Sequence, residues 1–310
     1  ADFALGDAEP VFDRPWMGDV EYSRKHPDLS THNATMSGLG ATANSYPSDP
    51  LGYATLYYSE YAYCLNYMSA NYNSNQYTSG FVPTLSFSSG KADSIVGFVG
   101  YQANTNAIIV SYRGSENIQN WVTNLSFIRE TYPNCDGCSV HKGFYNAEQE
   151  VFPQIADEVA KLSAAHPSFS IVVTGHSLGA ALATLTALDL APLYGASRVK
   201  LYNYGCPRMF NQAGADWASS GVISIGARRT HYKDMVPHTP PEAMGFRHTA
   251  GEIYENGPSS NYPNFPGGPL QDCQGLEDTS CADQYDGASI SDHLLYSGLA
   301  MGTGGCDALR

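Results

Sequence analysis

The sequence predicts an α/β fold with a mostly parallel central sheet and helices on both of its faces. Short apolar runs rich in β-branched residues alternate with longer helix-forming segments, the order expected when helices connect parallel strands. The clearest example lies between Ser168 and Leu190, where a strand-like run over 169–174 precedes an Ala- and Leu-rich run over 180–190. Neither an internal repeat nor a second core is evident in the 310 residues.

The turn within this stretch, Gly175-His-Ser-Leu-Gly179, predicts a nucleophilic serine at Ser177. A serine hydroxyl is a weak nucleophile, so it must stand clear of the backbone to meet both a base and a substrate carbonyl. A sharp strand-to-helix turn achieves this, and the two glycines avoid the side-chain clashes that such a turn would cause. A chance match and an apolar membrane helix over 171–193 are the competing interpretations. The strand before the pattern and the polar residues within it argue against both.

The composition restricts the partner and the compartment. Hydrophobic residues make up 43% of the chain, which is enough for a sizeable core, and the net charge of −14 disfavours nucleic acid and anionic surfaces as partners. Only 15% of the residues are charged, whereas tyrosine and glycine are abundant, which is typical of an extracellular protein. Because the chain begins at Ala1 without an apolar signal segment, we expect a processed, secreted protein with no transmembrane segment.

The seven cysteines suggest disulfide bonds, but their pairing cannot be deduced from spacing alone. Cys135-Asp-Gly-Cys138 could be a redox motif or half of a zinc site. Since no second Cys-x-x-Cys is present, a disulfide in a tight turn is favoured. Two N-glycosylation acceptors, Asn33-Ala-Thr and Asn124-Leu-Ser, predict a glycoprotein. Cys273 and Cys281 could close a polar loop, and Cys64 and Cys306 could join the two ends of the chain. Cys206 would then remain as a buried free thiol.

Residues 1–48 differ from the rest, because they are rich in acidic residues, Pro, Thr, Asn and Gly and have little periodicity. We predict that they form an N-terminal extension or pro-segment-like arm, and that residues 49–310 form a single domain. The pair Arg24-Lys25 would suit a dibasic processing protease, with an ordinary surface pair of charges as the alternative.

The other helices and strands are predicted from periodicity. An amphipathic helix with aromatic residues on its buried side is expected over 51–70, and a short helix with one apolar face at about 115–127. A long helix over 143–166 ends before Pro167. A hairpin is expected over 95–102 and 107–113, further strands at 198–204, 222–231 and 246–254, further helices at 213–220 and 291–301, and a loop over 256–284.

Two residues that follow Ser177 complete a candidate catalytic triad. An acyl-transfer serine needs a histidine base and a carboxylate that orients it, and α/β-hydrolase-type chains order them Ser, Asp or Glu, then His. Asp234 follows a strand-like run directly, and His293 is the last histidine and precedes the closing helix. Taken alone, Asp234 could be a turn former and His293 a helix cap or a core residue. Their order relative to the serine favours catalysis.

Seven blocks, in unbroken order between about residues 52 and 306, resemble the fungal class 3 lipases. Single blocks are not specific, but the combination is, and it implies an α/β-hydrolase fold with Ser177 as nucleophile, Asp234 as acid and His293 as base. Departures from the family pattern are Ala180 and Met209-Phe210. The blocks are Ser111-Tyr-Arg-Gly-Ser115, Ile118-x-Asn-Trp121, Cys135-x-x-Cys138-x-x-His-x-Gly-Phe144, Gly175-His-Ser-Leu-Gly179, Tyr204-Gly-x-Pro-Arg208, Thr230-His-x-x-Asp-x-Val-Pro237 and Asp292-His293-Leu-x-Tyr296.

The resemblance also implies an oxyanion hole, a lid and a groove. The N–H groups of Ser115 and Leu178, with the Ser115 hydroxyl, would hold the oxyanion. The helix at about 115–127 would be a mobile lid over an apolar groove, and a glycan on Asn124 would hinder its opening. The implied apolar lid residues are Ile118, Trp121, Val122 and Leu125, and the groove residues are Tyr63, Phe144, Pro207, Val236 and Leu294. The implied disulfides are Cys64–Cys306, Cys135–Cys138 and Cys273–Cys281.

These features together predict a secreted triacylglycerol lipase that forms an acyl-enzyme and is activated at oil–water interfaces. An esterase acting on soluble esters, such as feruloyl esters, is the alternative, and the apolar lid with Trp121 favours the lipase. A non-catalytic binding protein of the same fold is disfavoured because all three triad positions are filled. The chemistry requires no cofactor or metal. The expected partner is an acylglycerol at an oil–water interface, with no obligate protein partner.

Overall fold

Strands and helices alternate through most of the computed structural model, which describes residue 46 and residues 49–65, 75–90, 95–262 and 268–306. The helices are α1 (Gly52–Tyr61), α2 (Ile118–Asn124), α3 (Lys142–Ala165), α4 (Leu178–Tyr194), α5 (Gln212–Ala218) and α6 (Ile290–His293). The strands are β1 (Phe81–Ser88), β2 (Val96–Gln102), β3 (Ala107–Tyr112), β4 (Arg129–Thr131), β5 (Ser139–His141), β6 (Ser170–His176), β7 (Val199–Tyr204), β8 (Ser224–His231), β9 (Glu252–Glu255), β10 (Leu270–Asp272), β11 (Leu295–Tyr296) and β12 (Leu299–Ala300). Single 3-10 turns cover Ala103–Thr105, Val236–His238, Glu242–Met244, Ser259–Asn261 and Ala282–Gln284.

The main sheet has the strand order β1-β2-β3-β6-β7-β8-β9-β10. Its central strands, from β3 to β9, are parallel, and β1, β2 and β10 are antiparallel additions at the two sides. Every residue of β3 is buried, as expected for a parallel strand covered on both faces. The predicted mostly parallel sheet is therefore confirmed, as is the hairpin of β2 and β3, which turns at Asn106 with φ of 50°.

Helices cover both faces of the sheet. Adjacent residues of β7 point to opposite faces: the Asn203 side chain donates to Thr184 of α4, and the Tyr204 hydroxyl lies 2.8 Å from the Thr55 hydroxyl of α1. Nine of the ten residues of α1 are buried, so the predicted amphipathic helix is wrong in this respect. Its polar residues can be buried because they are hydrogen-bonded, as in the 2.9 Å contact between the Ser59 and Thr174 hydroxyls.

Four predicted elements differ from the structure in their bounds. The helix expected over 51–70 ends at Tyr61. The strand expected over 246–254 is shorter and covers only β9, and the loop over 256–284 contains β10. The closing helix expected over 291–301 ends at His293 and is followed by the hairpin of β11 and β12, whose turn residues Ser297 and Gly298 have positive φ angles. The sequence analysis did not predict β1, an edge strand whose pairing register shifts at Pro83, where proline is tolerated.

Three disulfides join the pairs that the resemblance implied: Cys64–Cys306, Cys135–Cys138 and Cys273–Cys281. Cys206 is a buried free thiol, as expected. The predicted N-terminal extension over 1–48 lies outside the described residues except for Tyr46, whose hydroxyl contacts Tyr204 at 2.7 Å. Within the described residues, no helix combines the length and the apolar character that a membrane crossing requires.

Candidate active site

Ser177 lies in the sharp turn between β6 and α4. Its φ of 61° and ψ of −129° belong to a strained region that residues other than glycine rarely adopt. The turn brings strand and helix so close that a Cβ on Gly175 would lie 2.3 Å from the carbonyl oxygen of Gly179. A Cβ on Gly179 would lie 2.5 Å from the Tyr112 carbonyl oxygen on β3. Both glycines are thus required by close backbone approach, for the reason expected from the sequence.

The loop after β3 passes directly against this turn. A Cβ on Gly114 would lie 2.9 Å from Cβ of Ser177 and 2.7 Å from the carbonyl oxygen of His176. The next residue, Ser115, is therefore beside the predicted nucleophile. Leu178 is the first residue of α4, where N–H groups have no acceptor within the helix. The two predicted oxyanion residues thus border the same serine from two sides.

Asp234 and His293 form a buried pair. The Nδ1 atom of His293 lies 2.8 Å from Oδ2 of Asp234, and both side chains are almost completely inaccessible. The Tyr296 hydroxyl donates to the same Oδ2 at 2.5 Å, and the Val236 N–H donates to Oδ1 at 2.8 Å. The carboxylate therefore accepts three hydrogen bonds, and His293 holds its Nδ1 proton toward Asp234, leaving Nε2 to act as a base.

Backbone contacts hold the segments of this pair together. Asp234 follows β8 and forms a parallel bridge with Ser289, and the N–H of Ser289 donates to the Lys233 carbonyl at 3.0 Å. Ser289 in turn caps α6, which ends at His293. The chain after β7 also approaches the imidazole, because a Cβ on Gly205 would lie 2.8 Å from Cε1 and 2.9 Å from Nδ1 of His293. A glycine after β7 is needed there to leave space for the ring.

Electrostatics favour an ionised Asp234. Burial alone would raise the pKa of Asp234, but His293 and the three hydrogen bonds outweigh it, and its pKa lies below the ordinary value. Burial lowers the pKa of His176 well below the ordinary value, and the adjacent His293 lowers it further. His176 is therefore neutral. Its Nε2 carries the proton, because it faces the His293 carbonyl at 2.9 Å, and its Nδ1 accepts from the Tyr63 hydroxyl at 2.8 Å.

The segment predicted to be a lid contains helix α2, which begins with the Asn117 side chain accepting from the N–H of Asn120. Ile118 is buried, Trp121, Val122 and Leu125 are half-buried, and the polar residues between them are exposed. The Trp121 ring stacks on Phe144 at 6.1 Å between centroids, with an angle of 21° between the planes. The apolar face of α2 is thus packed on a predicted groove residue through Trp121. The side chain of Ser177 is inaccessible to solvent.

The five predicted groove residues do not share one surface. Leu294 and Ser115 line a cavity of about 280 Å³ between the first turn of α2 and the chain after α6. Tyr63 and Val236 are buried around the triad, where they hydrogen-bond to His176 and Asp234. Pro207 is buried, with its carbonyl 3.4 Å from the Cys206 thiol, and does not line this cavity. Phe144 lies beneath the lid helix.

The two atoms that would exchange a proton in catalysis make no hydrogen bond within the described part of the chain. They are Oγ of Ser177 and Nε2 of His293, and both are buried. An unpartnered buried hydroxyl and an unpartnered imidazole nitrogen at an active-site turn are available for a substrate rather than for structure. The arrangement can therefore provide a nucleophile at Ser177 and a base at His293, with N–H donors at the start of α4.

Comparisons with known proteins agree with this geometry. A family model described as Lipase (class 3) matches residues 109–244. The structure of a triacylglyceride lipase from Rhizomucor miehei is 31% identical, with a TM-score of 0.72 over 85% of this chain and 98% of that chain. This chain belongs to the class 3 lipase family. Its fold is accordingly the α/β-hydrolase fold.

Two curated relatives extend the comparison. A secreted mono- and diacylglycerol lipase 1 from Fusarium solani is 37% identical over 206 residues, which are 64% of this chain and 60% of the relative. A lipase from Rhizomucor miehei is 38% identical over 206 residues, 63% of this chain and 53% of the relative. The matched segment therefore spans between about half and three fifths of the length of these relatives.

Two residues of the site were not singled out from the sequence. Tyr296 binds the predicted acid, and His176 supports the backbone of the predicted base. Both lie inside the motifs quoted above: His176 directly precedes Ser177, and Tyr296 follows His293 by three residues. Their spacing was visible, but their hydrogen bonds depend on how the hairpin of β11 and β12 folds back, which periodicity does not indicate.

The described residues include one carboxylate cluster outside the triad that resembles a metal site. Glu242, Glu277 and Asp283 place oxygen atoms close enough to share a cation. The Arg208 guanidinium already lies there, 3.0 Å from Glu277 and 2.8 Å from Asp283. The arginine supplies the positive charge, so the cluster is an ion-pair network.

Proposed function

We propose that this chain is a secreted triacylglycerol lipase that hydrolyses carboxylic esters of glycerol through an acyl-enzyme on Ser177. The observation that carries the proposal is the strained, buried turn at Ser177, together with the apolar face of helix α2, whose Trp121 packs on Phe144. The His293–Asp234 pair at 2.8 Å supports the roles of base and acid. A polar flap would have favoured a soluble-ester enzyme instead.

Acylation begins with Ser177. Its Oγ attacks the ester carbonyl while Nε2 of His293 takes the hydroxyl proton, and Asp234 stabilises the imidazolium that forms. The carbonyl oxygen becomes an oxyanion, which accepts from the N–H groups of Leu178 and Ser115 and from the Ser115 hydroxyl. The bond from the carbonyl carbon to the glycerol oxygen then breaks, and His293 returns the proton to that leaving oxygen.

Deacylation repeats these steps with water. His293 removes a proton from a water molecule, which attacks the acyl carbonyl and forms a second tetrahedral intermediate on the same donors. The bond between the acyl carbon and Oγ of Ser177 breaks, and Oγ recovers its proton from His293. The products are a fatty acid and the free enzyme, and no external reagent besides water is consumed.

Helix α2 accounts for the dependence on an interface. Opening α2 in water would expose the apolar side chains of Ile118, Trp121, Val122 and Leu125, at about 25 cal/mol per Å² of apolar surface. Against lipid this cost largely disappears, because the same surface is then covered by acyl chains. The closed packing of Trp121 on Phe144 supports a lid that is shut in water and opens at a droplet.

Secretion is supported by three disulfides and by the name of the Fusarium solani relative, a secreted lipase. The name of that relative, a mono- and diacylglycerol lipase, also favours a second candidate function. A preference for mono- and diacylglycerols over triacylglycerols would use the same triad with a narrower substrate range. Initial rates on emulsified triolein, diolein and monoolein distinguish the two candidates.

The experiment that tests the proposal measures hydrolysis of tributyrin through its solubility limit, for the wild type and for Ser177→Ala. We expect a sharp rise in rate when droplets form, and a loss of at least about 10⁴-fold in the variant. A saturating curve without that rise would favour the soluble-ester esterase. Absence of hydrolysis in the wild type would favour a binding protein, and full activity of Ser177→Ala would refute the site.

A further inference from the structure

Exposed apolar side chains are concentrated at one place on the described surface. Four large apolar residues are exposed among the described residues, and three of them are Phe127 at 36%, Ile128 at 60% and Met244 at 48%. We call these three residues the anchor patch. The fourth, Val82 at 41%, lies on the edge strand β1. Single exposed apolar residues are ordinary, but a cluster of them next to a functional element indicates an interaction surface.

Arg129 joins the two segments of the anchor patch. Its guanidinium donates to the carbonyl oxygen of Gly245, which follows Met244, and lies 4.9 Å from the ring centroid of Phe246. Ile128 precedes Arg129, and its carbonyl accepts from the N–H of Lys142 at 2.9 Å. The segment around Phe127 and the turn at Met244 are therefore neighbours.

The charge beside the anchor patch is opposite in sign to that of the whole chain. Arg129 and Lys142 are exposed, and within the described residues neither forms an ion pair with a carboxylate. The nearby acids are partly withdrawn: Glu242 lies 3.5 Å from Arg247, and one carboxylate oxygen of Glu130 is buried. In a chain of net charge −14, two exposed cations that have no carboxylate partner among the described residues favour an anionic partner at this apolar surface.

We propose that the anchor patch binds a lipid–water interface that carries ionised fatty acids, and that it does so while the lid is closed. The inference rests on the proposed lipase function, because fatty acid is the product of that reaction. Phe127 and Ile128 insert between acyl chains, and Arg129 and Lys142 contact carboxylates at the surface. The patch begins where the lid ends, so this contact places α2 against the lipid into which it opens.

The size of the patch favours lipid over a protein partner. A stable protein interface buries roughly 800 Å² on each partner, which three side chains cannot supply. Insertion of a few apolar residues together with nearby cations is sufficient for reversible binding to an anionic lipid surface. Each turnover adds a fatty-acid carboxylate to the interface, so adsorption through the anchor patch should strengthen as hydrolysis proceeds. The same carboxylates repel the rest of the acidic chain, which keeps the anchor patch as the surface in contact with lipid.

The test separates binding from catalysis by using Ser177→Ala protein throughout. Flotation with phosphatidylcholine vesicles, with and without oleate at alkaline pH, gives the partition coefficient. We expect oleate to increase binding. The pair Ile128→Ser and Met244→Ser should reduce binding to oleate vesicles about tenfold, and Lys142→Gln should reduce it about fivefold. The matched controls, Val82→Ser for apolar loss and Lys161→Gln for charge loss, should bind as the parent does.

Two results would overturn the proposal. One is equal binding by the anchor-patch variants and the two controls, and the other is weaker binding when oleate is present. Folding is checked in the wild-type background, where Ile128→Ser with Met244→Ser should hydrolyse a short soluble ester at the unaltered rate. Failure of the lipase function would appear as loss of that hydrolysis in the wild type. Failure of the anchor patch would leave hydrolysis intact and change only the vesicle result.

Discussion

Tyr296 donates its hydroxyl to the predicted catalytic carboxylate, so its removal tests the electrostatics of the site. Tyr296→Phe deletes the 2.5 Å hydrogen bond to Oδ2 of Asp234 and leaves the ring in place. The Val236 N–H and Nδ1 of His293 remain as donors. The variant therefore removes one of three hydrogen bonds to a buried charge, and creates only a small change in shape.

The size of the effect follows from the charge. A hydrogen bond to an ionised group contributes about 1.5–3 kcal/mol to stability. Its loss in Tyr296→Phe therefore raises the pKa of Asp234. The pKa of Asp234 is below its ordinary value, so the ionised form stabilises the fold above the unfolded pKa of about 3.9. That contribution is lost as the pH falls through the folded pKa. Tyr296→Phe should thus be more destabilising at neutral pH than in acid.

The assay is urea denaturation of both proteins at neutral pH and in acid, together with the rate constant for ester hydrolysis. We expect about 1.5–3 kcal/mol lower unfolding free energy at neutral pH, a smaller difference in acid, and kcat lower by about tenfold. Tyr254→Phe is the matched control, since this buried hydroxyl makes only a 3.4 Å contact with the Tyr232 carbonyl. A difference in stability that is the same at both pH values would refute the reasoning.

Three further predictions concern the lid, a buried acid and a disulfide. Trp121→Ala removes the packing on Phe144, so kcat/KM on emulsified tributyrin should fall several-fold while the rate on a soluble ester is kept, and equal losses on both would contradict a lid. Burial raises the pKa of Glu60 to about 9, so its stabilising contribution is lost as pH rises from the unfolded value through the folded one. In Glu60→Gln, Tm should therefore fall less than in the wild type as the pH rises from 4.5 to about 9. Thermal scans of both proteins at the two ends of this range measure the difference. Replacing Cys64 and Cys306 by serine opens a link between positions 242 residues apart and should cost on the order of 5 kcal/mol of unfolding free energy, measured in urea.

Local patterns predicted the parts of the fold that are set locally. The helix α3 was predicted to within one residue at each end, because Val151, Ile155, Val159 and Leu162 repeat on one face and Pro167 follows its end. The turn at Ser177 was also predicted from a local pattern, because Gly175 approaches the backbone of Gly179 four residues later. Gly179 in addition approaches the Tyr112 carbonyl on β3, which is a long-range contact.

Long-range contacts account for what the sequence did not reveal. Helix α1 has polar residues that suggest an exposed face, but hydroxyls on β6 and β7 satisfy them. Tyr63 was expected in the groove because of its position in a family motif, yet its hydroxyl is bound to His176. Such pairings join residues more than 100 positions apart, and no local periodicity indicates them.

The central claim is that Ser177 is the nucleophile and that α2 restricts access to it. A lipophilic p-nitrophenyl phosphonate, which forms a stable bond with an activated serine, tests both parts when labelling is followed by mass spectrometry with and without a lipid interface. The account predicts one label, on Ser177, forming much faster with the interface, and no label on Ser177→Ala. Labelling of another residue, or an equal rate in both conditions, would contradict it.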